Sequence, residues 1–390
     1  MDAPVRTRGR WARTALVVCA AFVLSRLLYF GAAWLYARYR GDELYFWSNQ
    51  PGVWVRWDAY HYIKIAEQWY VNVGDDRFKI VFYPLYPLLV RFVCLTGLDA
   101  RSAAFCVANA CVLAAGFALH ALVRGDNGEA AADRSVWLMM FTPLGLFFSV
   151  PYSESLFLLL CLLTALAARR RRFALAICCG ALCSATRALG ILTAPVVFFA
   201  LLQDAWARYS LTPGARRRDP AFLGRALLCV LETLPVALGL VYYLFLNRQV
   251  TGNAFTFLTY QSEHWGQNFG SLLNTLRYSY VNAWEYGSFE YRICLWIPQV
   301  LSIVAVLIVL FAAWRRLHPG DAAFAILYFY CAVAPTWLLS GPRYLAAMYA
   351  LYPALALLSK KRWAFAALMT AMVVLCCYFS AMYVEVGCVL

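Results

Sequence analysis

The sequence predicts an all-α polytopic membrane protein made of a single transmembrane domain over residues 1–390. Three observations lead there: 63% of the residues are hydrophobic, only 14% are charged, and the mean hydropathy is +0.63. A soluble domain carries about 45–50% apolar residues, so this chain has far more apolar surface than a water-facing fold can hide. The formal charge of +14 does not point to nucleic acid. The basic residues stand in clusters between apolar runs, as charges that orient a membrane protein do.

The elements follow in order. Arg6, Arg8, Arg10 and Arg13 precede the first apolar run, 14–36, with no small-residue cleavage site after it. That run reads as an uncleaved first span with a cytoplasmic amino terminus. Further runs near 102–123, 135–150, 152–168, 173–187, 189–205, 225–246, 293–314, 322–339, 343–358 and 363–384 bring the expectation to about eleven spans. Several fall short of the ~20 residues that a bilayer usually needs.

Segment 82–98, with Pro84 and Pro87, reads as a proline-broken juxtamembrane element. If it crossed, Arg169, Arg170, Arg171 and Arg172 would face outward, against the positive-inside rule. Kept on the outer side, it places that run in the cytoplasm with Arg216, Arg217, Arg218, Arg315, Arg316, Lys360, Lys361 and Arg362. The extracytoplasmic side then receives two long segments, 37–101 and 247–292. It also receives three tight apices, at 151–154, 186–190 and 340–343. The uncommon polar groups near span ends converge on that one face, where a single cavity can collect them.

The cysteines, fourteen in all, mostly sit inside apolar runs and read as small buried hydrophobes, not as a disulfide framework. Cys178, Cys179 and Cys183 read the same way rather than as a metal site. Cys388 stands third from the end, which does not make a prenylation box.

Asp58 and His61 are three residues apart, so a helix starting after Trp57 puts both on one face. An acid this close to apolar surface suits a general base where a cation or donor holds its charge, while Asp is also a favoured helix cap, the commoner role at this spacing. Glu154, at the mouth of a run, reads as a site carboxylate held by partners or as a group satisfied by the helix dipole. Arg187 and Arg343 stand at outer apices, where two guanidiniums can hold a phosphate; singly, each also reads as an interfacial snorkeller. Gln261, Glu263, His264 and Trp265 form a set able to read a sugar by hydrogen bonds and stacking, or an ordinary polar surface.

Several motifs now carry a resemblance: Trp57-Asp58-x-x-His61-Tyr62 with Ile65-Ala66, then Tyr83 within Phe82-Tyr83-Pro84-Leu85-Tyr86-Pro87, then Tyr152-Ser153-Glu154-Ser155-Leu156-Phe157. Ala185-Thr186-Arg187 with Gly190, and Pro342-Arg343-Tyr344, complete the order. Over nearly its whole length the chain resembles the PIG-V mannosyltransferase family, whose eukaryotic members add the second mannose in GPI-anchor assembly and which has bacterial relatives. The resemblance implies a GT-C fold and inverting transfer of mannose from a polyprenyl-phosphate sugar to a lipid-linked or glycan acceptor on the extracytoplasmic face. By analogy with GT-C enzymes it implies Asp58 as the catalytic position; the residues themselves then suggest Arg187 and Arg343 at the donor phosphate, with Trp57, His61 and Glu154 as positioning groups. Two departures bear on the acceptor: Trp69-Tyr70 replaces the Gly-Tyr of relatives, and 71–81 carries Asp75, Asp76 and Lys79.

No cofactor is expected to be obligatory, while a divalent metal on Asp58 and Glu154 stays open. The competing reading is a lipid or ion transporter that lines a pathway with the same groups. The chain has no Asn-x-Ser/Thr sequon, which favours a bacterial plasma membrane over the endoplasmic reticulum.

Overall fold

The computed structural model describes residues 3–212, 216–286 and 288–385; Cys388 lies outside them. Among the described residues the protein is helical throughout, with no strand and one isolated bridge, Phe269 to Pro335. In chain order the helices are α1 (Ala3–Arg40), α2 (Glu43–Ser48), α3 (Gln50–Trp54), α4 (Asp58–Gln68), α5 (Leu85–Cys94), α6 (Ala100–Asn127) and α7 (Glu129–Met140). Next come α8 (Glu154–Arg169), α9 (Phe173–Ser184), α10 (Ala194–Tyr209), α11 (Pro220–Thr233), α12 (Leu238–Thr251), α13 (Thr256–Trp265) and α14 (Leu272–Val281). The chain ends with α15 (Phe289–Tyr291), α16 (Ile297–Ala313), α17 (Pro319–Val333), α18 (Gly341–Ala346), α19 (Leu351–Leu358) and α20 (Arg362–Val384).

Among the described residues, six helical stretches are long and apolar enough to cross a membrane: Gly9–Arg40, Ala100–Asn127, Ala188–Tyr209, Pro220–Thr251, Phe289–Arg316 and Arg362–Val384. The other apolar runs hold shorter or broken helices. In 135–150 helix α7 stops at Met140, because Pro143 has no N–H for a helical bond and biases the residue before it away from helix. A short 3₁₀ turn, Gly145–Phe148, follows. In 343–358 the break falls at 347–350, between α18 and α19. There the ring of Pro353 excludes a continuous helix through the carbonyl four residues earlier. Segment 82–98 contains only the ten-residue α5.

Bilayer helices gain little from apolar burial against one another, since lipid is equally apolar; close backbone approach has to hold them. Helix α6 presents Ala103, Ala104, Ala108, Cys111, Ala115 and Gly116 as a buried stripe of small side chains. Gly239 packs so closely that a Cβ would lie 2.0 Å from the Ala181 carbonyl oxygen. The cysteines of the described residues are free; Cys111, Cys161, Cys179, Cys183, Cys229, Cys294 and Cys376 are buried, whereas Cys19, Cys106 and Cys178 face outward.

The two ends of the bundle differ. Helix α8 begins at Glu154 and ends at Arg169, which pairs with Asp126 at 3.2 Å and with Asp321. That end gathers the α6–α7 turn at Gly128, the α8–α9 turn at 170–172 and the start of α17. The end marked by Glu154 gathers the short helices α2 to α5, the 185–190 apex and α18.

Candidate active site

Helix α4 begins at Asp58, and the residue before it, Trp57, has φ 46° and ψ −119°. A bulky residue at positive φ costs about 1–3 kcal/mol and persists only where its surroundings hold it. They do so here. The Tyr152 hydroxyl donates to the Arg56 carbonyl at 2.9 Å, Arg56 Nε donates to the Val53 carbonyl at 3.0 Å, and the Trp57 indole lies edge-on to Tyr383, ring centres 5.2 Å apart. The sharp turn ahead of α4 is thereby tied to the approach to α8.

Asp58 does not cap its helix. Its Oδ2 accepts from Arg343 Nη2 at 2.7 Å. Arg343 Nε lies 3.1 Å from Glu154 Oε1, and the same oxygen is 2.6 Å from Arg187 Nη1. The order Asp58, Arg343, Glu154, Arg187 therefore makes an alternating chain of two carboxylates and two guanidiniums drawn from α4, α18, α8 and the 185–190 apex. Glu154 and Arg343 are buried, with side chains 1% and 6% exposed; Arg187 is at 16% and Asp58 at 27%. Glu154 meets both arginines off the line of their N–H bonds, as an ion pair without hydrogen-bond geometry, and its Oε2 has no hydrogen-bond partner among the described residues.

Aromatic faces complete the setting. The Arg343 guanidinium lies over Phe147, Tyr152 and Tyr344 at 5.3, 5.1 and 5.2 Å, and Arg187 lies over the same Tyr344 ring at 4.9 Å. Such contacts stabilise a desolvated cation and fix the guanidinium plane. Phe147 and Tyr344 were not singled out by residue type, because apolar and aromatic neighbours abound in this sequence. The signal for Tyr344 was its place beside Arg343 in the Pro342-Arg343-Tyr344 motif.

Ser153 and Tyr62 extend the cluster: the two hydroxyl oxygens are 2.7 Å apart, and Arg187 Nη1 reaches Ser153 Oγ at 3.5 Å. His61 stacks on Phe82 at 4.9 Å and meets the Trp265 ring at 6.4 Å, while its Nδ1 is buried without a hydrogen-bond partner among the described residues. Burial pushes the imidazole below its ordinary pKa, against a smaller upward pull from Asp58, so His61 is held neutral at neutral pH.

The remaining sequence candidates lie farther from the ion-pair chain. Trp265 meets the rings of His61 and Phe82. Gln261 donates to Gln267 Oε1 at 2.6 Å, and His264 stacks on Phe78 at 4.3 Å. Tyr83 is buried and stacked on Tyr243 at 3.8 Å, a packing position.

The apex that carries Arg187 is held by a close approach. A Cβ on Gly190 would sit 2.1 Å from the Cys183 carbonyl oxygen and 2.5 Å from the Ser184 nitrogen. The Leu85 N–H also donates to the Ala185 carbonyl at 3.2 Å, joining the 82–87 motif to this apex. Gly190→Ala is expected to cost about 1–3 kcal/mol through overpacking, read as a fall of several degrees in thermal unfolding in detergent. An unchanged midpoint would mean that this contact does not set the apex.

No family model matches the chain, and neither does any curated protein sequence. Among solved structures it is similar to ArnT from Cupriavidus metallidurans bound to undecaprenyl phosphate, with a TM-score of 0.53 at 13% identity. The match covers 92% of this chain and 63% of ArnT, so the chain spans less than two thirds of that protein's length. The archaeal oligosaccharyltransferase AglB from Archaeoglobus fulgidus, in complex with an inhibitory peptide and a dolichol-phosphate, aligns with a TM-score of 0.46 at 14% identity, over 96% of this chain and 56% of AglB. Helical architecture, apolar spans and the ArnT likeness together make this chain an integral membrane protein with the GT-C fold.

Proposed function

We propose that the chain is a membrane glycosyltransferase of the PIG-V type, which moves a mannosyl or related hexosyl residue from a polyprenyl-phosphate sugar to a lipid-linked or glycan acceptor. The observation that carries this reading is the ion-pair chain from Asp58 through the buried Arg343 and Glu154 to Arg187. ArnT, the GT-C neighbour, is bound to undecaprenyl phosphate, and a lipid-phosphate donor suits a fold whose substrate tail stays in the bilayer.

In this mechanism Asp58 takes the proton of the acceptor hydroxyl while the acceptor oxygen bonds to the anomeric carbon. The bond from that carbon to the phosphate oxygen breaks, and its electron pair leaves with the phosphate. Arg187 and Arg343 stabilise the charge that develops there. A single displacement inverts the anomeric centre, so a β-linked donor gives an α-linked product. The four ion-pair members sum to no net charge before substrate enters, so a phosphodiester has to share both guanidiniums with Glu154. Each guanidinium has five N–H donors, enough for a carboxylate and a phosphate together.

Orientation follows from charge. Arg170, Arg171, Arg172, Arg315, Arg316, Lys360 and Lys361 lie at the end opposite Asp58, which under the positive-inside rule is the cytoplasmic side. The reaction centre then faces outward, with a bacterial plasma membrane as the favoured setting.

The test is purified protein in liposomes supplied with labelled polyprenyl-phosphate mannose and a membrane glycolipid extract. Label is expected in the extract fraction. Movement of the lipid across the bilayer with no sugar transfer would replace this reading with the transporter one.

A further inference from the structure

At the end of the bundle opposite Asp58, a cavity of about 430 Å³ opens between α9, α10 and α11. Its lining combines apolar Phe173, Ile177 and Leu201 with charged Asp204, Arg208, Arg225 and Glu232. Glu232 is the unexpected member. It lies twelve residues into the apolar stretch Pro220–Thr251, roughly 18 Å along the helix at 1.5 Å per residue. A carboxylic side chain inside an apolar stretch is uncommon and by default marks a functional candidate.

Arg225 holds it with a two-pronged ion pair, Nη1 to Oε1 at 2.7 Å and Nη2 to Oε2 at 3.2 Å. Both side chains stay partly open, at 43% and 39%. Packing does not call for this pair, since Leu223, Leu227, Leu228 and Leu231 of the same helix lie exposed around it. The pair instead holds the Arg225 guanidinium along the cavity wall. At the rim, Asp204 ties Arg208 Nε at 3.0 Å and also Arg171. Arg217 lies over Trp206 at 5.0 Å. With Arg171 tied to Asp204, three arginines face two carboxylates at this cavity, Arg171, Arg208 and Arg225 against Asp204 and Glu232.

We infer that this cavity is a site for an anionic phospholipid, whose phosphate meets Arg208 and Arg225 and whose acyl chain lies on Phe173, Ile177 and Leu201. A lipid is the occupant because the surroundings of the mouth are exposed leucines, which a water-soluble anion has no reason to approach. An anionic head is selected because Asp204 and Glu232 are each already paired with arginine. A headgroup ammonium finds no unpaired carboxylate there, whereas Arg225 gives only two of its five donors to Glu232. Basic pockets between membrane helices recognise acidic headgroups by the same logic. This site is separate from the Asp58 centre and does not depend on the reaction proposed for it.

The experiment is native mass spectrometry of the full chain after delipidation, titrated with phosphatidylglycerol, phosphatidylethanolamine or phosphatidylcholine. Phosphatidylglycerol is expected to be retained at least fivefold over the other two, and the double variant R208Q/R225Q to lose that preference. Leu201→Trp fills the apolar part of the lining with every charge intact and is expected to lower phosphatidylglycerol occupancy by a similar factor, so the question is answered even where the arginine variant fails to fold. Equal retention of the three lipids, or an unchanged preference in both variants, overturns the proposal. Equal thermal stabilisation by inorganic phosphate alone overturns the choice of a lipid.

Discussion

Asp58→Asn is expected to lower sugar transfer by between about a hundred- and ten-thousand-fold, the range that removal of a positioned general base produces. The substitution keeps size and shape, and an amide oxygen still accepts from Arg343 Nη2 at the 2.7 Å contact. The turn at Trp57 is held by Tyr152, Arg56 and Tyr383 rather than by the carboxylate, so α4 should start where it does now. What disappears, in the proposed mechanism, is the group that takes the hydroxyl proton. The loss should therefore fall on kcat with labelled polyprenyl-phosphate mannose as donor, while donor KM changes little. Transfer at the wild-type rate would remove Asp58 from the role of base, and a rise confined to donor KM would make it a binding group.

The placement of this carboxylate was partly legible in the sequence, and the reason is local. An acid directly after Trp57 and three residues before His61 marks a helix start by spacing alone, and α4 starts there. By spacing alone the cap was the stronger reading, because an acid at a first helical turn is a common cap; the contact with Arg343, 285 residues away in the chain, engages the carboxylate elsewhere. Glu154 was ambiguous too. Its partners come from α18 and the 185–190 apex, and no local pattern reports a contact between them.

The apolar runs were legible as runs but not as continuous helices. Hydropathy is blind to Pro143 and Pro353, which divide the runs 135–150 and 343–358 into shorter pieces. Those breaks matter to the site, because Phe147 and Tyr152 beneath Arg343 follow the first of them and Arg343 precedes the second. The second outer segment was read from residue types suited to sugars, Gln261 and His264 among them. In the fold Gln261 bonds Gln267, His264 stacks on Phe78, and Trp265 meets the His61 ring.

Arg343 carries the other large prediction, because its one guanidinium answers to both carboxylates. Arg343→Ala leaves Glu154, 1% exposed, with only Arg187, and leaves Asp58 without a cation. Breaking a buried pair by removing one partner costs about 3–5 kcal/mol, so this variant should unfold many degrees earlier, and its inactivity would say little about chemistry. Arg343→Lys is the informative change. It keeps the charge but replaces a planar fork, stacked among Phe147, Tyr152 and Tyr344, with a compact ammonium that cannot span Asp58 and Glu154 together. Thermal stability is expected to drop less than in the alanine variant, while transfer falls roughly a hundredfold, as when one preorganised donor is lost from a developing anion. If Arg343 holds the donor phosphate, part of that loss appears as a higher KM for the polyprenyl-phosphate sugar, with the acceptor KM unmoved. An unchanged donor KM and kcat in a folded Lys variant would place the phosphate elsewhere and reduce Arg343 to a brace for the two carboxylates.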